Sequence, residues 1–318
     1  MTFDLASLTK PLVTAPLALA FLDLEADRRW QLGFADREAP LTVRQLLSHS
    51  AGLPPWRPFT GEAVAAQLTR PVGADPLLHG GTPGLSTYSD LGYRLLAELL
   101  EMQLGLEWRR VGAAASGLSP WPWMPAPVAL PPGRDREAWA VGTDLPFPTP
   151  VPGAPHDGNA RAGMKGHAGF GAGEAQFRNA LTTWVGAGWP ARMAVPTACT
   201  AEGQIWGLGL LNAQRGEGRF AEALLRIPEG LGGVHVVASM ETAAPAVPPP
   251  LSAAPGEPTG WWYHTGYTGT FLAVRPADGC TVGLLLHRLG PSGELLDETS
   301  LRGRRWGLLT GLADTLQG

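Results

Sequence analysis

Three short segments of the chain hold residue types that can do chemistry. Ser7-Leu8-Thr9-Lys10 spaces a hydroxyl and an amine three positions apart at the start of an apolar run. On a helix, positions i and i+3 share a face, so the two groups converge. A serine at a helix start also gains from unpaired backbone N–H groups and the positive end of the helix dipole. Tyr88-Ser89-Asp90 offers a phenol, and a phenol beside an ammonium can carry protons. His264-Thr265-Gly266-Tyr267 lies between two strand-like runs, where glycine permits close backbone approach to a ligand and strand-edge N–H groups can hold an oxyanion. Each segment alone has a plainer reading: a surface serine with a snorkelling lysine, an aspartate N-cap beside a core tyrosine, a polar hairpin.

The composition sharpens the first segment. Of 24 cationic residues only Lys10 and Lys165 are lysines, and the rest are arginines. Arginine does not lose its proton inside a protein, whereas lysine can. A lysine kept in such a background is a candidate for a task that needs a compact, titratable amine; Lys165 gains no such role. A net charge of −4 and a pI near 6.0 exclude an electrostatic nucleic-acid binder as the default. Two cysteines, Cys199 and Cys280, cannot form a disulfide framework or a thiolate zinc site. His156 and His167 lie in glycine-rich turns and read as loop-ordering residues rather than metal ligands, and His49 as a hydrogen bonder at a helix end. No metal or organic cofactor is required. The most apolar stretch, Leu12 to Leu22, is about half a membrane span and contains Pro16. The first residues are not a basic export leader, so no membrane association and a cytoplasmic location are expected for the chain as given.

These groups need elements to hold them. Residues 8–24 read as a helix kinked at Pro16. Thr42 and Gln45 form a capping-box pattern opening a helix from Val43 to Ser50, ended by Gly52. Leu91, Leu95, Leu99 and Met102 mark another helix, stopped by Gly105, and Glu174 to Val185 a third. Residues 112–158 have no periodicity and read as long loop. Beyond about residue 200, Ile205–Leu211, Val234–Ser239, Thr270–Arg275 and Thr281–His287 read as strands and Ala243–Pro258 as a surface loop. A closing helix over roughly Leu295–Leu316 carries Gly303, Gly307 and Gly311, a stripe that lets it approach a sheet. Helices followed by an antiparallel sheet define an α+β fold: one unit over 1–318, with a helical part to about residue 200 and a sheet part from about 201. The tryptophans at Trp121, Trp123, Trp261 and Trp262 read as core first, with a role in an apolar pocket as the alternative.

Taken together, the three segments resemble the Ser-x-x-Lys, Ser-Asp-Asn and Lys-Thr-Gly set of serine β-lactamases and penicillin-binding proteins. The chain is most similar to the class C β-lactamase-like serine hydrolases, including their esterase relatives, in which the middle element is Tyr-x-Asn and the last Lys-Thr-Gly or His-Thr-Gly. Phe3–Lys10, Thr42–Leu53, Tyr88–Tyr93, His156–Ala160, Gly166–Phe170 and His264–Thr270 carry the likeness, and residues 213–258 read as an insertion. The resemblance implies a hydrolase that works through an acyl-enzyme on a small ester, amide or peptide. Ser7 would be the nucleophile, Lys10 its activator, and Tyr88 the proton relay to the leaving group. The backbone N–H groups of Ser7 and Tyr267 would form the oxyanion hole. Asp90, His264, Thr265 and Gly266 would contact substrate.

The departures from the family pattern carry their own expectations. Asp90 stands where Asn is common, and its carboxylate favours a charged Lys10, which points to Tyr88 as the proton carrier. His264 stands where a lysine would be a permanent cation, which implies poor recognition of carboxylate-bearing substrates and of β-lactams relative to neutral esters. The family's first helix and first two strands have no counterpart before Ser7. That leaves Ser7 near a frayed terminus and Thr281–His287 as an open sheet edge. A start lying further upstream, a homodimer or another cover for that edge, and an inactive, truncated binding protein are the competing expectations.

Overall fold

A computed structural model describes residues 2–69, 79–121, 155, 157–215, 220–239, 256–288 and 296–317. The elements in chain order are β1 (Phe3–Asp4), α1 (Ala15–Phe21), α2 (Val43–Leu47), α3 (Val64–Leu68), α4 (Asp90–Leu104), α5 (Trp108–Ser116), β2 (Ser119–Pro120), α6 (Gly158–Arg161), β3 (Phe170–Ala172), α7 (Glu174–Gly186), α8 (Trp189–Met193), β4 (Ala198–Cys199), β5 (Ile205–Trp206), β6 (Leu211–Gln214), α9 (Ala221–Leu225), β7 (Val234–Ala238), β8 (Pro258–Thr265), β9 (Phe271–Arg275), β10 (Cys280–Leu285) and α10 (Glu298–Gln317). Seven strands form one sheet in the order β4-β5-β6-β8-β9-β10-β7, and β1-β3-β2 form a small second sheet. The α+β class holds. No helix among the described residues is long and apolar enough to cross a membrane.

The large sheet is mixed rather than purely antiparallel: β7 runs parallel to β10, with Thr281 opposite Val234 and Leu285 opposite Ala238. The strand expected to lie open at the edge is therefore covered from within the chain. The segment read as an insertion supplies the covering strand. The outward carbonyls of Val234 and Val236 then accept from Arg178 at 3.2 and 3.3 Å, so an arginine of α7 caps the new edge.

One face of the sheet packs on the helices. Trp262, Leu272, Val274 and Leu285 join Leu12, Leu95, Phe177 and Leu181 in one buried cluster that crosses residue 200. The other face buries Trp261, Tyr263, Phe271 and Val282 against Phe220, Leu309 and Ala313. Alternate residues of a strand point to opposite faces, so Trp261 and Trp262 fall in different clusters and both are core. Trp123 and His156 lie outside the described residues. In the closing helix only part of the glycine stripe meets protein: Gly303 is buried, while Gly311 is exposed with nothing within reach of an added Cβ.

Several local expectations hold with adjusted bounds. The Thr42–Gln45 capping box is complete, with both reciprocal hydrogen bonds present. The left-handed residue that ends this helix is His49 (φ 58), before Gly52 (φ 71). Gly105 (φ 64) closes α4. Ile205–Leu211 is two strands, because Gly209 (φ 94) turns the chain between them. Helix α5 and strand β2 occupy part of the stretch read as loop.

Candidate active site

The run read as one kinked helix is three segments. Ala6–Leu8 is a 3-10 turn, Lys10–Thr14 a wider π turn, and α1 follows. Pro11 and Pro16 each fall in the first two positions of a segment, where no backbone N–H is needed. The prolines divide the helix without breaking its packing. Thr14 Oγ1 donates to the Gly166 carbonyl at 2.6 Å, and Trp184 Nε1 donates to the Pro11 carbonyl at 3.0 Å.

Ser7 does not sit on a frayed end. Phe3 pairs with Ala172 of β3, and the Leu5 N–H donates to the Phe170 carbonyl at 3.0 Å. From the large sheet, Thr268 Oγ1 donates to the Asp4 carbonyl at 2.8 Å and Thr270 Oγ1 to the Leu5 carbonyl at 3.2 Å. The segment is thus pinned between the two sheets. Ala6 is forced to φ 45, a left-handed conformation unfavourable for a residue with a Cβ. The buried Asp4 holds that turn, its Oδ1 accepting the Ala6 N–H at 2.9 Å. Ser7 follows directly, half-buried among buried neighbours.

Lys10 is fully buried and has a partner for each of its three protons. Nζ lies 2.7 Å from Asp90 Oδ1, 3.0 Å from Ser7 Oγ and 3.1 Å from the His167 carbonyl. It also stands 4.8 Å from the centre of the Tyr88 ring. Burial lowers its proton affinity, but Asp90 and then Tyr88 outweigh burial, and its pKa is raised above the ordinary lysine value. Lys10 is an ammonium at neutral pH. Lys10 and Ser7 both lie close enough to Tyr88 to favour its ionised form. Burial raises its pKa, the Lys10 charge opposes this, and Asp90 adds to the rise, so the phenol keeps its proton at rest. The N-cap of α4 is Ser89, whose Oγ accepts the Gly92 N–H at 3.3 Å. That frees the Asp90 carboxylate to turn to Lys10.

His264 is the last residue but one of strand β8 and lies beside this cluster, its ring 6.0 Å from Tyr88. Nδ1 meets the Thr265 carbonyl at 2.9 Å. A carbonyl can only accept, so Nδ1 carries the hydrogen and Nε2 presents a lone pair. Burial, followed by the Lys10 charge, lowers its pKa to about 3, and the ring is neutral. The turn after it needs Gly266: a Cβ there would come within 2.0 Å of Thr270 Oγ1 and 2.9 Å of the Leu5 carbonyl. Arg305 holds the turn by donating to the carbonyls of Gly266 and Gly269. The Gly266 N–H is spent on the Thr270 carbonyl at 2.7 Å. Tyr267 is partly exposed and lies over Arg288, at 3.9 Å from its ring centre. Thr265 is half-buried at the strand end.

Two residues near Tyr88 escaped the sequence reading. His49, expected only to tie off a helix, is buried with its ring 4.6 Å from Tyr88 and 4.7 Å from Trp206. Its Nδ1 accepts the Ser89 N–H at 3.0 Å, and burial, then Lys10 and His264, hold its pKa well below the ordinary value. Trp206 stands 6.0 Å from Tyr88 and 6.2 Å from His264. Its strand was legible, but nothing in its spacing set it apart from the other tryptophans. Asp90, Asp157 and His167 also converge, with one potential ligand atom from each within 4.8 Å of the others. Lys10 already supplies a cation at Asp90, which a metal ion would have to displace.

A serine hydroxyl bonded to a buried lysine ammonium three residues on is the pairing that the Ser-x-x-Lys element of the penicillin-recognising serine enzymes sets up. The family model described as Beta-lactamase matches residues 1–303, and the chain belongs to that family. Among solved structures it is similar to a class C β-lactamase from Rhodobacter sphaeroides, at 18% identity and a TM-score of 0.60, over 98% of this chain and 85% of that one. A D-amino acid amidase from Ochrobactrum anthropi SV3, complexed with L-phenylalanine amide, gives 15% identity and a TM-score of 0.53, over 99% and 84% of the two chains. SurE with D-Leu gives 18% identity and a TM-score of 0.57 over 99% of this chain, which spans 64% of that protein. These likenesses show a shared fold. No curated protein matches the sequence.

Proposed function

We propose that the chain is a serine hydrolase that acts through an acyl-enzyme on an ester or amide lacking an essential carboxylate. The observation that carries this is the Ser7 Oγ–Lys10 Nζ hydrogen bond of 3.0 Å, with Lys10 fully buried against Asp90. Ser7 Oγ attacks the carbonyl carbon. Its proton passes to Tyr88 Oη while the Tyr88 proton passes to the leaving group, so the neutral phenol of the resting state is the relay. The Lys10 ammonium stabilises the negative charge that develops on Ser7 Oγ. The N–H groups of Ser7 and Tyr267 serve the oxyanion. The Ser7 N–H has no acceptor among the described residues. Water then attacks the acyl-enzyme by the reverse relay.

The neutral His264 supports esters and amides over carboxylate-bearing substrates, since a lone pair at Nε2 repels an anion. The relatives include an amidase and β-lactamases, which agrees with acyl transfer as the reaction class. The test is a fluorophosphonate probe read by intact mass. One adduct per chain that disappears in Ser7→Ala supports the proposal. A folded wild-type chain that takes no adduct overturns it in favour of a non-catalytic binding protein.

A further inference from the structure

The mechanism above leaves a histidine–carboxylate pair unused. His167 is 1% exposed, and its Nε2 lies 2.9 Å from Asp157 Oδ1. Asp157 in turn caps α6, accepting the Ala160 N–H at 2.7 Å. Backbone and side chain of His167 address the same cluster from two directions. The carbonyl holds Lys10 at 3.1 Å, while the ring converges on Asp90 and Asp157 within 4.8 Å. The charged groups that bear on the ring come from three elements: Asp157 before α6, Asp90 at the start of α4, and Lys10 in the π turn.

The His167 ring stands between two carboxylates: Asp157 at 2.9 Å, and Asp90, which is itself paired with Lys10 at 2.7 Å. A proton on the ring sets a second cation beside Asp90. We propose that His167, gripped by Asp157, is a positively charged positioning residue that shares Asp90 with Lys10 and so lets Tyr88 give up its proton. This rests on the reading of Ser7 and Tyr88 as nucleophile and relay. Its physical basis is that Asp90 makes the phenol harder to ionise, and a cation near Asp90 offsets that field. Burial and, more weakly, Lys10 oppose charge on the ring, but Asp157 and Asp90 together outweigh them and raise its pKa above the ordinary value. Nδ1 of the ring is buried with no protein partner among the described residues. Its carbonyl contact with Lys10 survives replacement of the ring, so side-chain variants test charge rather than the scaffold.

Two measurements on the full chain decide the matter. In the Ser7→Ala protein, NMR titration of 13C-labelled histidine reads His167 directly and needs no activity. The expected midpoint is above the ordinary 6.5, moving to lower pH in Asp157→Asn. In the wild type, the rate of labelling by a neutral fluorophosphonate is expected to fall on the alkaline side of that same midpoint. His167→Gln should lose this limb and react about tenfold more slowly at pH 6. Asp157→Asn, which keeps the ring, should move the limb to lower pH and so serves if His167→Gln does not fold. A His167 that titrates at or below 6.5, or variants that keep the wild-type profile merely scaled down, overturn the proposal. If the wild type takes no label at all, the assignment of Ser7 falls, and the NMR titration still decides the state of His167.

Discussion

Lys10 Nζ and Asp90 Oδ1 lie 2.7 Å apart, with the lysine fully buried and the aspartate half-buried. The pair fixes the protonation states around Ser7, and Asp90→Asn is the direct test. Burial alone would lower the Lys10 pKa, and Asp90 is the larger of the two groups that raise it. Without that charge, Lys10 and Tyr88 both release protons more easily. The expected result is a shift of the alkaline limb of ester hydrolysis, where Lys10 loses its charge, to lower pH with the fold retained. The stability linkage runs in the same sense. A lysine whose folded pKa is raised stabilises the native state fully below the unfolded value of 10.5 and loses this as pH climbs through the folded value. Urea titrations of wild type should therefore show no loss from this pair at neutral pH and a decline only above pH 10.5.

Lys10→Arg separates charge from shape. Arg keeps the charge, but the site is closed and has three acceptors set for an ammonium. A planar guanidinium does not fit it. The expected loss in kcat/KM for an aryl ester is about 10²–10⁴-fold, the range for a misplaced catalytic group. Retention of wild-type kcat/KM would show that the ammonium geometry is not used.

The candidate site segments were legible in the sequence because each is local: Ser7 and Lys10 share a turn, Tyr88 and Asp90 flank a helix start, and His264 lies near a strand end. What brings them together is not local. Nothing in the sequence sets Asp4 apart, yet its side chain clamps Ala6 and its carbonyl is held by Thr268 from the far end of the chain. His49 gave only its helix-end position, whereas its ring packs on Tyr88 through a left-handed turn that no spacing announces. Strand β7 was legible as a strand. Its partner was not, because the parallel pairing with β10 depends on a long connection rather than on pattern. His167 was read as loop, and a loop reading gives no hint that its carbonyl meets Lys10.

The Asp4 clamp makes a prediction about strain. At an ordinary position, Ala→Gly costs about 0.5–1 kcal/mol, whereas a left-handed alanine already pays about 1–2 kcal/mol. Ala6, at φ 45, should therefore accept glycine with no loss of stability in urea denaturation. Asp4→Ala, by contrast, removes the acceptor of the buried Ala6 N–H and should cost about 1–3 kcal/mol. It should also slow labelling of Ser7. A clear destabilisation by Ala6→Gly would show that the turn is not strained.

His264→Lys tests specificity. The neutral ring offers a lone pair, and a lysine would offer a cation to a substrate carboxylate. The nearby Lys10 charge, which also depresses His264, limits how fully the new amine is protonated. The ratio of kcat/KM for a carboxylate-bearing ester to that for its neutral analogue should rise about tenfold or more, the scale of one charge-assisted hydrogen bond. An unchanged ratio would place substrate recognition elsewhere.

Arg178→Ala tests the edge of the sheet. Strand β7 presents Val234 and Val236 carbonyls away from β10, and both are bonded by the Arg178 guanidinium, which Glu174 holds on the same helix at 3.3 Å. Removing it leaves acceptors that water can satisfy, so the stability cost should be small, about 1 kcal/mol. The larger effect is on association. A row of unpaired strand carbonyls is a template for another strand, and arginine is the group that blocks it here. Sedimentation velocity across a concentration series should show more self-association for Arg178→Ala than for wild type, while Arg178→Lys, which keeps a charge on the edge, should behave like wild type. If Arg178→Ala sediments as wild type at every concentration, the guanidinium is not what protects β7.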